Sequence, residues 1–153
     1  MALGSNLGDK TANIDTAIAL HTEVGDVRLL ARSRNYANRA VGEDGSGLVR
    51  QRGDRRRDSL SPRLLLARCK DIERRMGRVE TERWGPRIID LDLLVYRGIS
   101  IDEPDLVLPH PHIGARAFVL APLLDIDPDL VIGDRSVRAM YEAIDTSGVR
   151  ALD

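Results

Sequence analysis

The stretch Ile88-Ile89-Asp90-Leu91-Asp92-Leu93-Leu94-Val95-Tyr96 reads as a strand with two unlike faces. Side chains alternate along a strand, so Ile89, Leu91, Leu93 and Val95 form one apolar stripe that needs a helical layer against it. Asp90 and Asp92 share the other face with Ile88, Leu94 and Tyr96. Two carboxylates at i and i+2 stand about 7 Å apart along a strand and repel each other unless something neutralises them. They read equally as a pair holding a divalent cation against a polyphosphate or as two solvated acids on an open sheet face.

Arginines crowd the approach to this strand: Arg75, Arg78, Arg83 and Arg87. Guanidinium groups bind phosphate bidentately and keep their charge, and phosphoryl transfer needs its oxygens neutralised by metal and cations. Trp84, the single Trp, stands among them before the bend Gly85-Pro86. It suits a flat heterocycle or a core anchor. His110 and His112 lie in Leu108-Pro109-His110-Pro111-His112. No third ligand at matching spacing supports Zn²⁺, and a phosphate contact from His110, with Arg116 downstream, fits better. Nothing matches a phosphate-binding G-x-x-x-x-G-K loop. Gly4-Ser5 with paired acids suits a nucleotidyltransferase, but about 85 residues separate Ser5 from Asp90 here, which ranks that class low.

The other elements follow from periodicity and caps. Met1 to Leu3 is the tail of a short strand, with a few of its residues expected to be missing. A helix is predicted from Lys10 to Glu23, with Ile14, Ala17, Ile18 and His21 on one face and Gly25 ending it. Val27 to Tyr36 is a strand. Residues 42–58 carry Arg50, Arg52, Arg55, Arg56 and Arg57 with little apolar pattern, so an exposed basic loop is predicted. Ser61 caps a helix that starts at Pro62, carries Leu65, Leu66, Cys69, Ile72 and Met76, and stops at Gly77. Pro104 to Pro111 is a loop, and Ala115 to Leu124 and Asp134 to Ile144 are helical. The expected architecture is a single domain over residues 1–153, an α+β sandwich of the ferredoxin-like kind, with helices packed on one antiparallel sheet.

A formal net charge of -1 gives no overall field toward nucleic acid or membrane, so anion binding must come from local clusters. One cysteine rules out an internal disulfide and suits a reducing compartment. With no signal peptide and no long apolar run, the cytoplasm is the expected location.

These residues together resemble the 6-hydroxymethyl-7,8-dihydropterin pyrophosphokinases. The resemblance rests on Ala2-Leu-Gly-Ser-Asn-Leu-Gly-Asp9, on Glu73 with Gly77-Arg78, on Arg83-Trp-Gly-Pro-Arg-x-x-Asp-x-Asp92, on Leu108-Pro-His110 and on Arg116-Ala-Phe118. It implies transfer of the β,γ-diphosphate of ATP to the pterin hydroxymethyl oxygen, with AMP left over. It implies two Mg²⁺ ions on Asp90 and Asp92, and Arg78 and Arg87 neutralising the transferring group. Glu73, Arg83, Trp84, His110 and Arg116 would line the ATP site. Trp84 and Phe118 would sandwich the pterin, with Asn38, Val41 and Gln51 completing its pocket. A monomer with no membrane or nucleic-acid partner is implied.

One region departs from that pattern. The family's usual strand, with an aromatic and a pterin-binding Asn, falls at Val49 and Gln51, and Gln51-Arg-Gly-Asp-Arg-Arg-Arg-Asp58 replaces its apolar run. Val49 to Asp58 can be encoded GTT CGT CAA CGC GGT GAC CGT CGT CGA GAC. One base later this gives Phe-Val-Asn-Ala-Val-Thr-Val-Val-Glu, the relation that compensating frame shifts leave. As written, an incomplete sheet, a weakened pterin pocket and low stability are expected. The competing expectation is a non-catalytic nucleic-acid-binding protein using Arg50 to Arg57.

Overall fold

The computed structural model describes residues 1–39, 48–58, 60–78 and 86–152, with Arg39 and residues 48–58 described in backbone only. Val41, Arg83 and Trp84 lie outside the described residues.

The chain runs β1 (Ala2–Ser5), α1 (Lys10–Thr22), β2 (Val27–Arg32), β3 (Tyr36–Arg39), β4 (Leu48–Asp58), α2 (Pro62–Arg75), β5 (Asp90–Asp92), a β6–β7 hairpin (Ile101–Glu103, Leu106–Leu108), α3 (Ala117–Ile126), β8 and β9 (Val131–Ile132, Arg135–Ser136), α4 (Val137–Glu142) and β10 (Val149–Ala151). The main sheet has the order β10-β3-β4-β1-β5, with β2 also on β4, and every pairing is antiparallel. This is an α+β fold.

The helix starts follow their caps. Asp9 accepts the Ala12 amide, and Ser61 accepts the Leu64 amide with Pro62 opening α2. Gly77 closes α2 at φ +84°, a conformation that disfavours a side chain. Ile14, Ala17, Ile18 and His21 are all buried, as their spacing predicts. They join Leu65, Cys69 and Ile72 of α2 and Leu3, Val27, Ile89 and Leu91 of the sheet in one core.

A second core lies on the other side, where Ala2 and Leu94 meet Val119, Leu120 and Leu123 of α3 and Val137 and Met140 of α4. Helices pack on one sheet face, as expected, and α3 covers the opposite face as well. Leu3 and Leu91, cross-strand partners, face the first core. Ala2 and its partner Asp92 therefore lie on the α3 side, together with Asp90.

The structure corrects the expectation of an exposed basic loop at 42–58. Leu48–Asp58 is the longest strand, and its Arg50–Gly53 stretch is paired on one edge with β1 while Leu48–Gln51 pairs with β3 on the other. Ladder hydrogen bonds use backbone groups that every residue here carries, so pairing on both edges outweighs weak strand propensity. Among the described residues the sheet runs on through β4, where a gap was expected.

Smaller differences have local causes. The strand predicted over Val27 to Tyr36 breaks at Ser33–Asn35, where the Arg34 amide and guanidinium both bond Asp125 of α3. The strand predicted to reach Tyr96 leaves its ladder after Asp92, because the Leu94 carbonyl accepts the His110 amide at 2.7 Å instead. The predicted Pro104–Pro111 loop contains β7. The helix predicted from Ala115 starts at Ala117, after a 3₁₀ turn over Ile113–Ala115. The helix predicted over Asp134 to Ile144 is shorter: β9 occupies Arg135–Ser136 and α4 ends at Glu142.

Candidate active site

The register of β5 brings Asp90 opposite Gly4 and Asp92 opposite Ala2. Gly4 is also opposite Gln51, and Gln51 opposite Tyr36. One row of backbone pairs thus crosses four strands: Tyr36, Gln51, Gly4, Asp90. Gly4-Ser5, far from Asp90 in sequence, ends the strand that lies beside it in space, which removes sequence distance as a reason to separate the two.

Asp90 holds two arginines. Its Oδ1 accepts Nη1 of Arg78 at 2.8 Å and its Oδ2 accepts Nη1 of Arg87 at 3.1 Å. The same Arg78 nitrogen reaches Oε1 of Glu73 at 2.5 Å. Glu73 is buried at 2% exposure. Its carboxylate also accepts the Leu91 amide at 2.8 Å and meets Lys70 Nζ at 3.3 Å. A buried carboxylate needs this much compensation, so in the structure Glu73 spends itself on protein groups.

Asp92 differs. Its carboxyl is pushed up to about 6 by burial, then by the charge of Asp90, with Arg116 pulling the other way. Arg116 precedes α3, and its guanidinium lies 5.9 Å from the centre of the Phe118 ring. The same charge bears on His110, whose pKa is lowered by burial first and then by Arg116 and His112. The His112 amide donates to Nδ1 of His110 at 3.2 Å, so that ring presents its Nε2–H.

The structure therefore brings together Glu73, Arg78, Arg87 and Asp90 directly, and places Asp92, His110, Arg116 and Phe118 beside them. Asn38 sits on β3, paired with Val49 and Val149, toward the far edge of the sheet from Asp90. Asn6 escaped sequence inspection. Its Oδ1 accepts the Arg87 amide at 2.5 Å and its own amide donates to the Arg87 carbonyl at 3.1 Å. Asn13 steadies that turn through Ser5 Oγ and the Leu7 carbonyl. The turn-favouring Asn6, just after β1, was the available signal.

Among the described residues no three His, Cys, Asp or Glu side chains gather as a preformed cage. Asp90 and Asp92 nevertheless fit Mg²⁺, which takes one or two carboxylates and completes its shell from phosphate and water. The like-charge strain at Asp92 is what such a cation relieves.

Paired acids on an antiparallel sheet, flanked by arginines that reach one of them, define an α+β protein with a centre suited to polyphosphate chemistry. The chain matches the family described as 7,8-dihydro-6-hydroxymethylpterin-pyrophosphokinase over residues 1–128. It is 39% identical over 153 residues to the 2-amino-4-hydroxy-6-hydroxymethyldihydropteridine pyrophosphokinase of Methylorubrum extorquens, covering 100% of this chain and 97% of that one. It is 36% identical to the enzyme of the same name from Pseudomonas aeruginosa, over 99% of this chain and 94% of that one. The match to the Bacillus subtilis protein of that name is 36% over 82% and 75% of the two chains. The chain belongs to the 7,8-dihydro-6-hydroxymethylpterin-pyrophosphokinase family.

Proposed function

We propose that this protein transfers the β,γ-diphosphate of ATP to the hydroxymethyl oxygen of 6-hydroxymethyl-7,8-dihydropterin, releasing AMP, as a step of folate biosynthesis. The observation that carries this is the Arg78–Asp90–Arg87 cluster with Asp92 beside it, in a chain of this family. Asp90 and Asp92 hold two Mg²⁺ ions, which when bound neutralise phosphate charge. Arg78 and Arg87 stabilise the charge that builds on the transferring group. Neutral His110 donates its Nε2–H to a phosphate oxygen, and Arg116 adds charge beside it. Arg83 and Trp84 complete the ATP site. Trp84 and Phe118 clasp the pterin ring, with Asn38, Val41 and Gln51 at its edge. Glu73 acts from beneath, by holding Leu91 and Arg78 in place.

The finer form of the fold in this proposal is ferredoxin-like, supported by α1 and α2 packing together against the same face of the sheet. The protein works as a monomer on small molecules, with no nucleic-acid partner. The formal net charge of -1 supports leaving nucleic acid out. No helix among the described residues is long and apolar enough to cross a membrane. A cytoplasmic location agrees with the single cysteine, Cys69, which is buried.

Product analysis tests this. Incubation with ATP, Mg²⁺ and the hydroxymethyldihydropterin should yield AMP in step with pterin diphosphate, and chelation of Mg²⁺ should stop it. ADP as the nucleotide product, or inorganic pyrophosphate released at the rate of AMP, would rule the proposal out.

A further inference from the structure

The ladder between β1 and β5 pairs Gly4 with Asp90, and past that pair Asn6 continues the link between the two chains. Its side-chain Oδ1 accepts the Arg87 amide at 2.5 Å, and its own amide donates to the Arg87 carbonyl at 3.1 Å. One residue thus holds the peptide groups on both sides of the Arg87 Cα. Peptide groups are planar, so fixing both of them fixes the direction in which the side chain leaves. At the far end of that side chain Nη1 meets Oδ2 of Asp90 at 3.1 Å. Asn6 is itself braced. Asn13 of α1 donates its Nδ2 to Ser5 Oγ at 3.2 Å and to the Leu7 carbonyl at 2.8 Å, one residue to either side of Asn6. Ser5 is buried, which makes it a firm anchor.

From this geometry we propose that Asn6 is a positioning residue for diphosphate transfer: by gripping both peptide groups of Arg87 it aims that guanidinium at the transferring group. The inference rests on the proposed function, in which Arg87 stabilises charge that builds during transfer. Asn6 acts through Arg87. A group that works in the transition state loses rate rather than substrate affinity when it is misplaced. The atom that matters on the Asn6 side chain is its oxygen, because the Arg87 N–H needs an acceptor. Asp offers an oxygen at the same reach, and Ala offers none.

Single-turnover AMP formation and calorimetry with ATP, both in Mg²⁺, test this on the wild type, Asn6→Ala, Asn6→Asp, Arg87→Ala and the double variant Asn6→Ala with Arg87→Ala. Asn6→Ala should slow AMP formation about thirtyfold while ATP affinity stays within about threefold of the wild type. Asn6→Asp should recover most of that loss. With Arg87 already replaced, Asn6→Ala should slow the reaction by less than about twofold more, because its effect runs through Arg87. The full Asn6→Ala loss repeated in the Arg87→Ala background would overturn the inference, as would Asn6→Asp as slow as Asn6→Ala. Arg87→Ala at the wild-type rate would instead sink the role that the proposed function gives to Arg87, and this inference with it. A wild-type measurement covers the case of a poorly folded Asn6→Ala chain. The Arg87 amide should exchange with deuterium about tenfold or more slowly than an open peptide of the same sequence, and exchange at the open-peptide rate contradicts the grip.

Discussion

The buried carboxylate of Glu73, near the end of α2, accepts the backbone amide of Leu91 at 2.8 Å, and Leu91 is the residue between Asp90 and Asp92. Among the described residues β5 ends its sheet, with β1 as its only strand neighbour. A helix side chain thus bonds the edge of β5 and holds the acid pair from behind. Glu73→Ala leaves that amide and Arg78 without their shared partner. It should cost about 3 kcal/mol of stability, read by urea unfolding. Glu73→Gln keeps an acceptor for the amide and should cost less. An alanine variant within about 0.5 kcal/mol of wild type would show that this bond does not hold β5.

Asp92 supplies a pH signature. Its folded-state pKa is raised to about 6, mainly by burial. The folded chain therefore takes up this proton at higher pH than the unfolded chain. The ionised carboxyl is a destabilising burden that is present in full above the folded pKa. It is relieved as pH falls through 6 toward the ordinary value of 3.8. In EDTA, Asp92→Asn should be more stable than wild type at pH 7.5 by up to about 3 kcal/mol, and the gap should close toward pH 4.5. A gap that is the same at both ends, by thermal or urea unfolding, contradicts the assignment.

His110 gives a test by isostere. With Nδ1 accepting the His112 amide, the working atom is Nε2–H. Gln places an amide donor near the Nε2 position and Asn does not. His110→Gln should therefore retain roughly tenfold more kcat/KM than His110→Asn. The reverse order would place the working nitrogen at Nδ1.

The segment of β4 makes a prediction about the gene as well as the protein. If compensating frame shifts produced Val49 to Asp58, the codons in use read one base later give Phe-Val-Asn-Ala-Val-Thr-Val-Val-Glu, and other codons would end that explanation. That reading puts Asn at position 51, in the row with Gly4 and Asp90. Replacing Val49 to Arg57 by this apolar strand should raise the melting temperature by about 5 °C or more and lower KM for the pterin more than KM for ATP. Unchanged melting and unchanged pterin KM would mean that the arginine-rich strand serves as well.

The parts legible in the sequence were those set by local rules. Asp9, Ser61-Pro62 and Gly77 mark helix ends by capping chemistry, and the spacing from Ile14 to His21 names a buried face. The Asp90–Asp92 pair follows from strand alternation. β4 was misread because its strand state comes from neighbours on both edges, which its own composition does not disclose. The same holds for β10, a short strand made by pairing with β3. Within the site, the Asn6–Arg87 contact joins residues about 80 apart in the chain, and the asymmetry between Asp90 and Asp92 comes from burial and from which arginine reaches which acid, neither of which spacing discloses.

The central claim is that Asp90 and Asp92 serve diphosphate transfer, and the rate of AMP formation in the wild type and Asp92→Ala tests it most directly. With saturating ATP, Mg²⁺ and hydroxymethyldihydropterin, the wild type should form AMP only when all three are present, and Asp92→Ala should lower kcat by about a hundredfold or more. AMP formation by Asp92→Ala at the wild-type rate would contradict the account.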